Sequence, residues 1–172
     1  MGNRADLLLK NGTVVLPQGT MQADILVSDG RVKDIGSFDE VSAKETLDCK
    51  NLHVLPGIID TQVHFREPGG EHKETLETGM MAAAAGGVTG IFEMPNTNPL
   101  TTTPETLQQK LDIAAKNPWT NYAFYFGGTA ENAPHLPEWE NLAGVCGVKI
   151  FMGSSTGNLL VATDDEVESV LS

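Results

Sequence analysis

The sequence predicts an α/β protein in two parts, a β-sandwich-like module at residues 1–56 and a parallel α/β unit at residues 57–172. The first part contains short β-type runs separated by the turn signals Asn11-Gly12 and Asp29-Gly30. In the second part, apolar strand-like runs alternate with helix-like runs, which is typical of a parallel sheet.

Composition excludes several classes of function. The chain of 172 residues has 23 acidic and 11 basic side chains, for a net charge of −12, which argues against a nucleic-acid partner. No apolar run approaches the roughly 20 residues that span a bilayer, so we expect no membrane association. Cys49 and Cys146 form no recognisable disulfide framework, which favours a reducing, cytoplasmic setting.

Five short β segments are predicted in the module, each β-branched or apolar and bounded by turn residues. They are Asp6–Lys10, Thr13–Leu16, Ala23–Ser28, Arg31–Ile35 and Leu52–Leu55.

Four strands are predicted in the second part, and their nearly continuous apolar character indicates burial on both faces. They are Ile58–Phe65, Val88–Met94, Tyr122–Phe126 and Val145–Met152. Three helices complete the pattern: Lys73–Ala85 before Gly86-Gly87, one that begins at Thr103-Pro104 and ends near Asn117, and one that follows the capping box Thr163…Glu166. Residues 131–143 are weakly helical, and residues 153–157 form a Gly/Ser-rich loop without the ending of a P-loop.

The length of the second part sets its architecture. A complete (β/α)8 TIM barrel needs about 250 residues. Residues 57–172 suffice for the first four βα units of an incomplete barrel. A free-standing half-barrel would expose sheet edges and core, so we expect this chain to be the front half of a larger enzyme.

Residues 56–69 (PGIIDTQVHFREPG) contain the strongest chemical signal. Side chains alternate along a strand, so Gln62, His64 and Arg66 project from one side at the end of an apolar run. Neutral imidazole is a common zinc ligand, which makes His64 the leading metal candidate. Asp60 lies on the same face, one step deeper, where it could orient the ligands.

The run resembles the Asp-x-His-x-His-x-Arg signature of dihydroorotases, in the amidohydrolase superfamily, with Gln62 at the position of the first histidine. The resemblance implies one or two zinc-like divalent ions, held in part by His64. Gln62 offers only a neutral amide oxygen, so we expect one metal position to be weak or empty.

Lys149 is the second signal, in the otherwise uncharged run Val145–Met152. Burial of an unpaired ammonium is costly and favours the neutral amine, which can react with CO2. Lys149 falls on the fourth predicted strand, and the resemblance implies that it becomes a CO2-derived carbamate that bridges two metals.

Arg66 and Asn96 form the third signal, each at the end of a predicted strand. A guanidinium suits bidentate binding of a carboxylate, and an amide adds a donor. In dihydroorotases these motif positions hold the substrate carboxylate, whereas allantoinases and hydantoinases act on rings without it.

The expected function is therefore that of a metal-dependent dihydroorotase of pyrimidine biosynthesis, acting on a small carboxylate-bearing cyclic amide. The resemblance places further ligands and the catalytic base beyond Ser172, so we expect this chain to be inactive alone. An allantoinase- or hydantoinase-type hydrolase stays open. So does a non-catalytic scaffold for aspartate carbamoyltransferase, which Gln62 favours, and homo-oligomerisation is also left open.

Overall fold

A computed structural model describes residues 5–153 and 159–172 of the chain. The chain divides into two compact units, Met1–Pro56 and Gly57–Ser172. Residues 154–158, which include most of the predicted Gly/Ser-rich loop, lie outside the described residues. None of the helices within the described ranges combines the length and the apolar character needed to cross a membrane.

The first unit contains one five-stranded sheet in its described part. Its strands are β1 (Ala5–Leu16), β2 (Gly19–Ser28), β3 (Arg31–Gly36), β4 (Ala43–Asp48) and β5 (His53–Val54). The order is β3-β2-β1-β4, and β5 also pairs with β1. Strands β2 and β3 join antiparallel through the predicted turn, where Asp29 and Gly30 have φ values of 53° and 67°. This two-residue turn with positive φ at both positions is the type that suits the twist of a hairpin.

The prediction of a turn at Asn11-Gly12 is wrong. Strand β1 continues through both residues, and its pairing with β2 shifts register between Leu9 and Gly12, as in a β-bulge. Asn11 has the expected positive φ of 62°, and its backbone N–H donates to Asp24 Oδ1 at 2.8 Å. The side chain of Asp24 thus stabilises the positive φ of Asn11 within a continuous strand.

The second unit is a parallel half-barrel of four strands with helices between them. The strands are β6 (Ile58–Val63), β7 (Val88–Glu93), β8 (Asn121–Gly127) and β9 (Val145–Lys149), in that spatial order. The helices are α1 (Leu76–Ala85), α2 (Pro104–Ala114), α3 (Leu136–Trp139) and α4 (Asp164–Leu171), and a 3-10 turn at Ala133–His135 precedes α3. The predicted α/β fold class is confirmed.

Helix ends follow the capping residues of the sequence. The Thr103 side chain accepts from the backbone N–H of Thr106, and Thr163 does the same for Glu166, so both predicted starts are confirmed. Helix α1 begins three residues later than predicted, because Thr75 forms its capping box.

The packed core of the second unit lies between the sheet and helices α1 and α2. Its buried members are Leu76, Met80, Ile91, Leu107, Ala114, Phe124, Phe126 and Leu136. Strands β7 and β8 supply the aromatic and aliphatic centre of this core. This packing fixes the strand ends from which the candidate site is built.

The expectation that the first barrel strand is buried is wrong. Strand β6 ends at Val63, and Ile58 and Ile59 are each 57% exposed. The reason is topological, because β6 is the edge strand of the described sheet and pairs only with β7.

Candidate active site

Three of the predicted site residues lie at the carboxyl ends of the parallel strands of the half-barrel. His64 directly follows β6, Asn96 lies three residues after β7, and Lys149 is the last residue of β9. Parallel strands bring their carboxyl ends to the same edge, which is the face where barrel enzymes build their sites.

His64 and Asn96 are in direct contact. The imidazole Nδ1 of His64 lies 2.9 Å from Oδ1 of Asn96, and both residues are half-buried. An amide oxygen only accepts, so this contact fits the tautomer in which Nδ1 carries the proton and Nε2 has the lone pair. Histidines that bind metals usually donate their second ring N–H to such an acceptor, so this geometry suits a ligand.

The loops that follow β6 and β7 are tied to each other. The backbone N–H of Asn98 donates to the carbonyl of Pro68 at 3.0 Å. Gly69 adopts a positive φ of 93°, and a Cβ at this position would lie 2.4 Å from the carbonyl oxygen of Asn98. Only glycine permits both this backbone conformation and this approach.

A pocket of about 220 Å³ lies between these two loops. Both predicted carboxylate-binding residues, Arg66 and Asn96, line it. The other lining residues are Pro68, Gly69, Gly70, His72, Lys73, Thr97 and Asn98. The structure thus brings Arg66 and Asn96 together at one cavity, and Asn96 also joins that cavity to His64.

The pocket carries positive charge. Among the residues that the structure describes, neither Arg66 nor Lys73 makes an ion pair with a carboxylate. The neighbouring Glu71 accepts the backbone N–H of Gly69 at 2.8 Å, and this bond is the main cause that lowers the pKa of Glu71. Two cations and an amide around one cavity suit an anionic group.

Gln62 and Asp60 lie on the exposed part of β6. The backbone N–H of Gln62 donates to Asp60 Oδ1 at 3.0 Å. Asp60 therefore fixes the strand backbone at Gln62. The sequence predicted that Asp60 orients the ligands, but the side chain that contacts the His64 ring is that of Asn96.

Lys149 is half-buried, so the expectation of a fully buried lysine on the fourth strand is wrong. Its Nζ lies 5.2 Å from the ring centroid of Phe151, close enough for a cation–π contact. Two strands separate β9 from β6, so Lys149 and His64 stand at opposite ends of the described sheet.

The fit of these residues to a metal is partial. His64 has the free Nε2 and the held Nδ1 of a ligand. However, residues 5–153 and 159–172 contain no group of three or more His, Cys, Asp or Glu side chains that could hold a metal ion. The described part of the chain therefore offers individual ligands rather than a complete metal site.

Sequence reasoning missed the buried pair beneath the site, Glu93 and Lys110. Their side chains are 0% and 1% exposed, and Lys110 Nζ donates to Glu93 Oε2. Burial raises the pKa of Glu93 to about 7 against the opposing effect of the ammonium, and burial lowers the pKa of Lys110. A signal for this pair is present, because Lys110 is spaced with Leu107 and Ala114 on the apolar face of α2.

Comparison with known proteins assigns the family. A family described as Dihydro-orotase-like matches residues 52–133. An allantoinase of Desulfitobacterium hafniense is 43% identical over 147 residues, which cover 85% of this chain and 32% of the relative. A dihydroorotase of Streptococcus pneumoniae is 47% identical over 112 residues, covering 64% of this chain and 26% of the relative. The chain belongs to the amidohydrolase superfamily.

Solved amidohydrolase structures agree with this assignment. The L-hydantoinase (dihydropyrimidinase) of Arthrobacter aurescens superposes with a TM-score of 0.87 at 33% identity, covering 96% of this chain and 37% of that one. The chain therefore corresponds to an amino-terminal amidohydrolase region that spans about a third of the length of its relatives. The resemblance to dihydroorotases is confirmed at the level of the superfamily.

Proposed function

We propose that the protein to which this chain contributes hydrolyses a cyclic amide that bears a carboxylate, interconverting dihydroorotate and carbamoyl aspartate. The observation that carries this proposal is the cationic pocket of about 220 Å³ in which Arg66 and Asn96 converge. A guanidinium and an amide can bind both oxygens of one carboxylate. Hydrolysis of the ring adds water across the amide C–N bond, leaving a second carboxylate and a free amide nitrogen.

A divalent metal such as zinc is part of the proposal. His64 would offer Nε2, Lys149 would contribute as a carbamate, and Gln62 would be a weak neutral donor. Such an ion supplies Lewis-acid polarisation of the carbonyl and a nucleophile at neutral pH. The described residues do not complete a metal site, and we propose that the remaining ligands and the catalytic base come from elsewhere in the protein. We therefore expect the 172-residue chain alone to be inactive.

Removal of the Arg66 guanidinium, in the protein to which this chain contributes, tests the proposed substrate. We expect Arg66→Ala to lower kcat/KM for dihydroorotate by about 100-fold or more. The variant removes the guanidinium, and the substrate carboxylate then has no charged partner at this position. Activity toward hydantoin or allantoin should not fall in parallel. Arg31→Ala, which removes an exposed arginine of the first unit, is the matched control and should change neither activity. A wild-type preference for hydantoin or allantoin, together with indifference to Arg66→Ala, would overturn the proposal.

The second candidate is a hydrolase of a neutral ring, of the allantoinase or hydantoinase type. It is favoured by the 43% identity to the Desulfitobacterium allantoinase and by the TM-score of 0.87 to the Arthrobacter hydantoinase. The same substrate panel decides between the two candidates.

The third candidate is a non-catalytic scaffold that binds aspartate carbamoyltransferase. It is favoured by Gln62, because the dihydroorotase signature that this run resembles has a metal-binding histidine at the same position. Metal analysis of the full-length protein separates it from both hydrolases. Bound zinc and a carbamate on Lys149 would support catalysis, whereas the lack of both would support the scaffold.

A further inference from the structure

The buried pair of Glu93 and Lys110 lies directly behind the strand end that presents Asn96. Glu93 is the last residue of β7, and Lys110 reaches it from α2. The ammonium also lies 4.9 Å from the ring centroid of Phe124, in the packed core. Both charges are therefore removed from water, where they are costly.

The ammonium of Lys110 has a second partner that reaches the site. Its Nζ donates to the backbone carbonyl of Met94 at 3.1 Å. The backbone N–H of Met94 donates in turn to the carbonyl of Val63 at 3.0 Å. Met94 is thus held by the lysine on one side and by the end of β6 on the other.

Those two backbone positions adjoin the residues that meet in the site. Val63 directly precedes His64, and Met94 lies two residues before Asn96. The Nδ1···Oδ1 contact of 2.9 Å between His64 and Asn96 therefore closes a ring of contacts that begins at Met94. A shift of the Met94 carbonyl would move both sides of that contact.

Stability alone does not explain a pair of this kind. Well-packed apolar residues of similar volume often replace a buried ion pair without loss of stability. Glu93 Oε1 has no hydrogen-bond partner among the described residues, so the pair is not fully satisfied. Two apolar side chains could fill the same space, but they could not donate a hydrogen bond to the Met94 carbonyl.

We propose that Glu93 and Lys110 are a positioning pair that fixes the backbone from which His64 and Asn96 are presented. Glu93 holds the ammonium in place, and the ammonium holds the Met94 carbonyl. The structural coupling stands on these contacts alone, whereas its value for catalysis rests on the proposed function.

The test uses the tautomer of His64, which a merely structural role would not change. The chain has only four histidines, so ¹⁵N-histidine spectra are simple, and His64→Gln assigns the signal. At pH 8 the wild-type protein should show His64 protonated at Nδ1. The double variant Glu93→Leu/Lys110→Met should fold, and its Nδ1–H form should fall from the dominant to the minor tautomer.

Leu107→Ala is the matched control, because Leu107 is a buried core residue on the same helix as Lys110. It should lower the Tm and leave the His64 signals unchanged. An unchanged tautomer in the folded double variant would overturn the proposal, as would an equal change in Leu107→Ala.

If the double variant does not fold, Glu93→Gln replaces it, because this isosteric change removes only the negative charge that holds the ammonium. A measurable loss of the Nδ1–H form is then expected, and unchanged signals would overturn the proposal. The kinetics are measured separately. They use the protein to which this chain contributes, because the chain alone is expected to be inactive. Lack of dihydroorotate turnover by that protein would refute the proposed function, and the tautomer result would still test the positioning pair.

Discussion

The imidazole of His64 and the side-chain amide of Asn96 meet at 2.9 Å although 32 positions separate them in the chain. The contact joins the ends of β6 and β7 and directs the free Nε2 of His64 away from Asn96. The same amide lines the cationic pocket with Arg66. Asn96 therefore links the candidate metal ligand to the candidate carboxylate site.

Loss of the Asn96 amide should weaken metal binding as well as substrate binding. We expect Asn96→Ala to lower zinc affinity by about 10- to 100-fold, because the acceptor that orients His64 is removed. Competition with a chromogenic chelator measures this affinity. Asn98→Ala, an exposed change in the same loop, should leave it unchanged. Equal zinc affinity in the wild-type and Asn96→Ala proteins would contradict the role of the contact.

Gly69 should be required for the shape of the pocket. In Gly69→Ala the added Cβ would lie 2.4 Å from the carbonyl oxygen of Asn98, which is a steric clash. The φ of 93° adds backbone strain for an alanine. Gly87→Ala is the control, since Gly87 has φ 86° and no neighbour within 4 Å of an added Cβ. Both changes should cost about 1 kcal/mol or more from backbone strain.

Only Gly69→Ala should also weaken substrate binding, seen as a raised KM for the carboxylate substrate. The two glycine variants are compared by urea unfolding and by steady-state kinetics, both on the protein to which this chain contributes. The same KM for both would show that the contact between the two loops does not shape the pocket.

The Glu93 carboxyl should titrate near neutrality. Its pKa is raised from 4.5 to about 7, chiefly by burial. This shift means that folding favours the protonated carboxyl over the ionised one by about 3 kcal/mol. Because the folded-state pKa is the higher one, the contribution of protonated Glu93 to stability is complete below about pH 4.5. It is lost as the pH rises through about 7.

Carboxyl ¹³C spectra across pH 4–9 measure this titration, with Glu93→Gln for assignment. Glu105 is an internal reference, because its pKa is lowered by the hydrogen bond with Thr103. A Glu93 midpoint below 5 would refute the expected burial cost.

Asp24 should stabilise the bulge in the first unit. It is 6% exposed and accepts backbone N–H groups from Asn11 at 2.8 Å and Phe38 at 3.1 Å. Asp24→Ala leaves both donors without this acceptor, and we expect a loss of about 1–3 kcal/mol in the free energy of unfolding.

Asp34→Ala is the comparison for Asp24, because the exposed Asp34 accepts only from the adjacent N–H of Ile35 among its described hydrogen bonds. It should change the free energy of unfolding by less than about 0.5 kcal/mol. Urea denaturation of the two variants should therefore give clearly separated midpoints.

Local signals in the sequence predicted much of this fold. The caps at Thr103 and Thr163 depend on residues three positions away, and the Asp29-Gly30 turn depends only on its own backbone. Asn11-Gly12 carries the same kind of signal, but the carboxylate of Asp24 and the pairing with β2 hold it within a strand. Tertiary contacts overrode the local preference at that position.

The site was predictable where its residues follow strand ends. Arg66 and Asn96 were expected to act together, and the structure places both at one pocket. The contact between His64 and Asn96 and the ion pair of Glu93 with Lys110 were not foreseen. Each depends on how neighbouring strands and a helix are arranged in space, and separate elements of the sequence do not contain that arrangement.

The contact between His64 and Asn96 makes the geometry of the candidate ligand depend on two chain segments. His64 directly follows β6, and Asn96 follows β7, which pairs with both β6 and β8 in the described sheet. The 2.9 Å contact joins the two segments, so a change that moves the end of either strand also moves the imidazole.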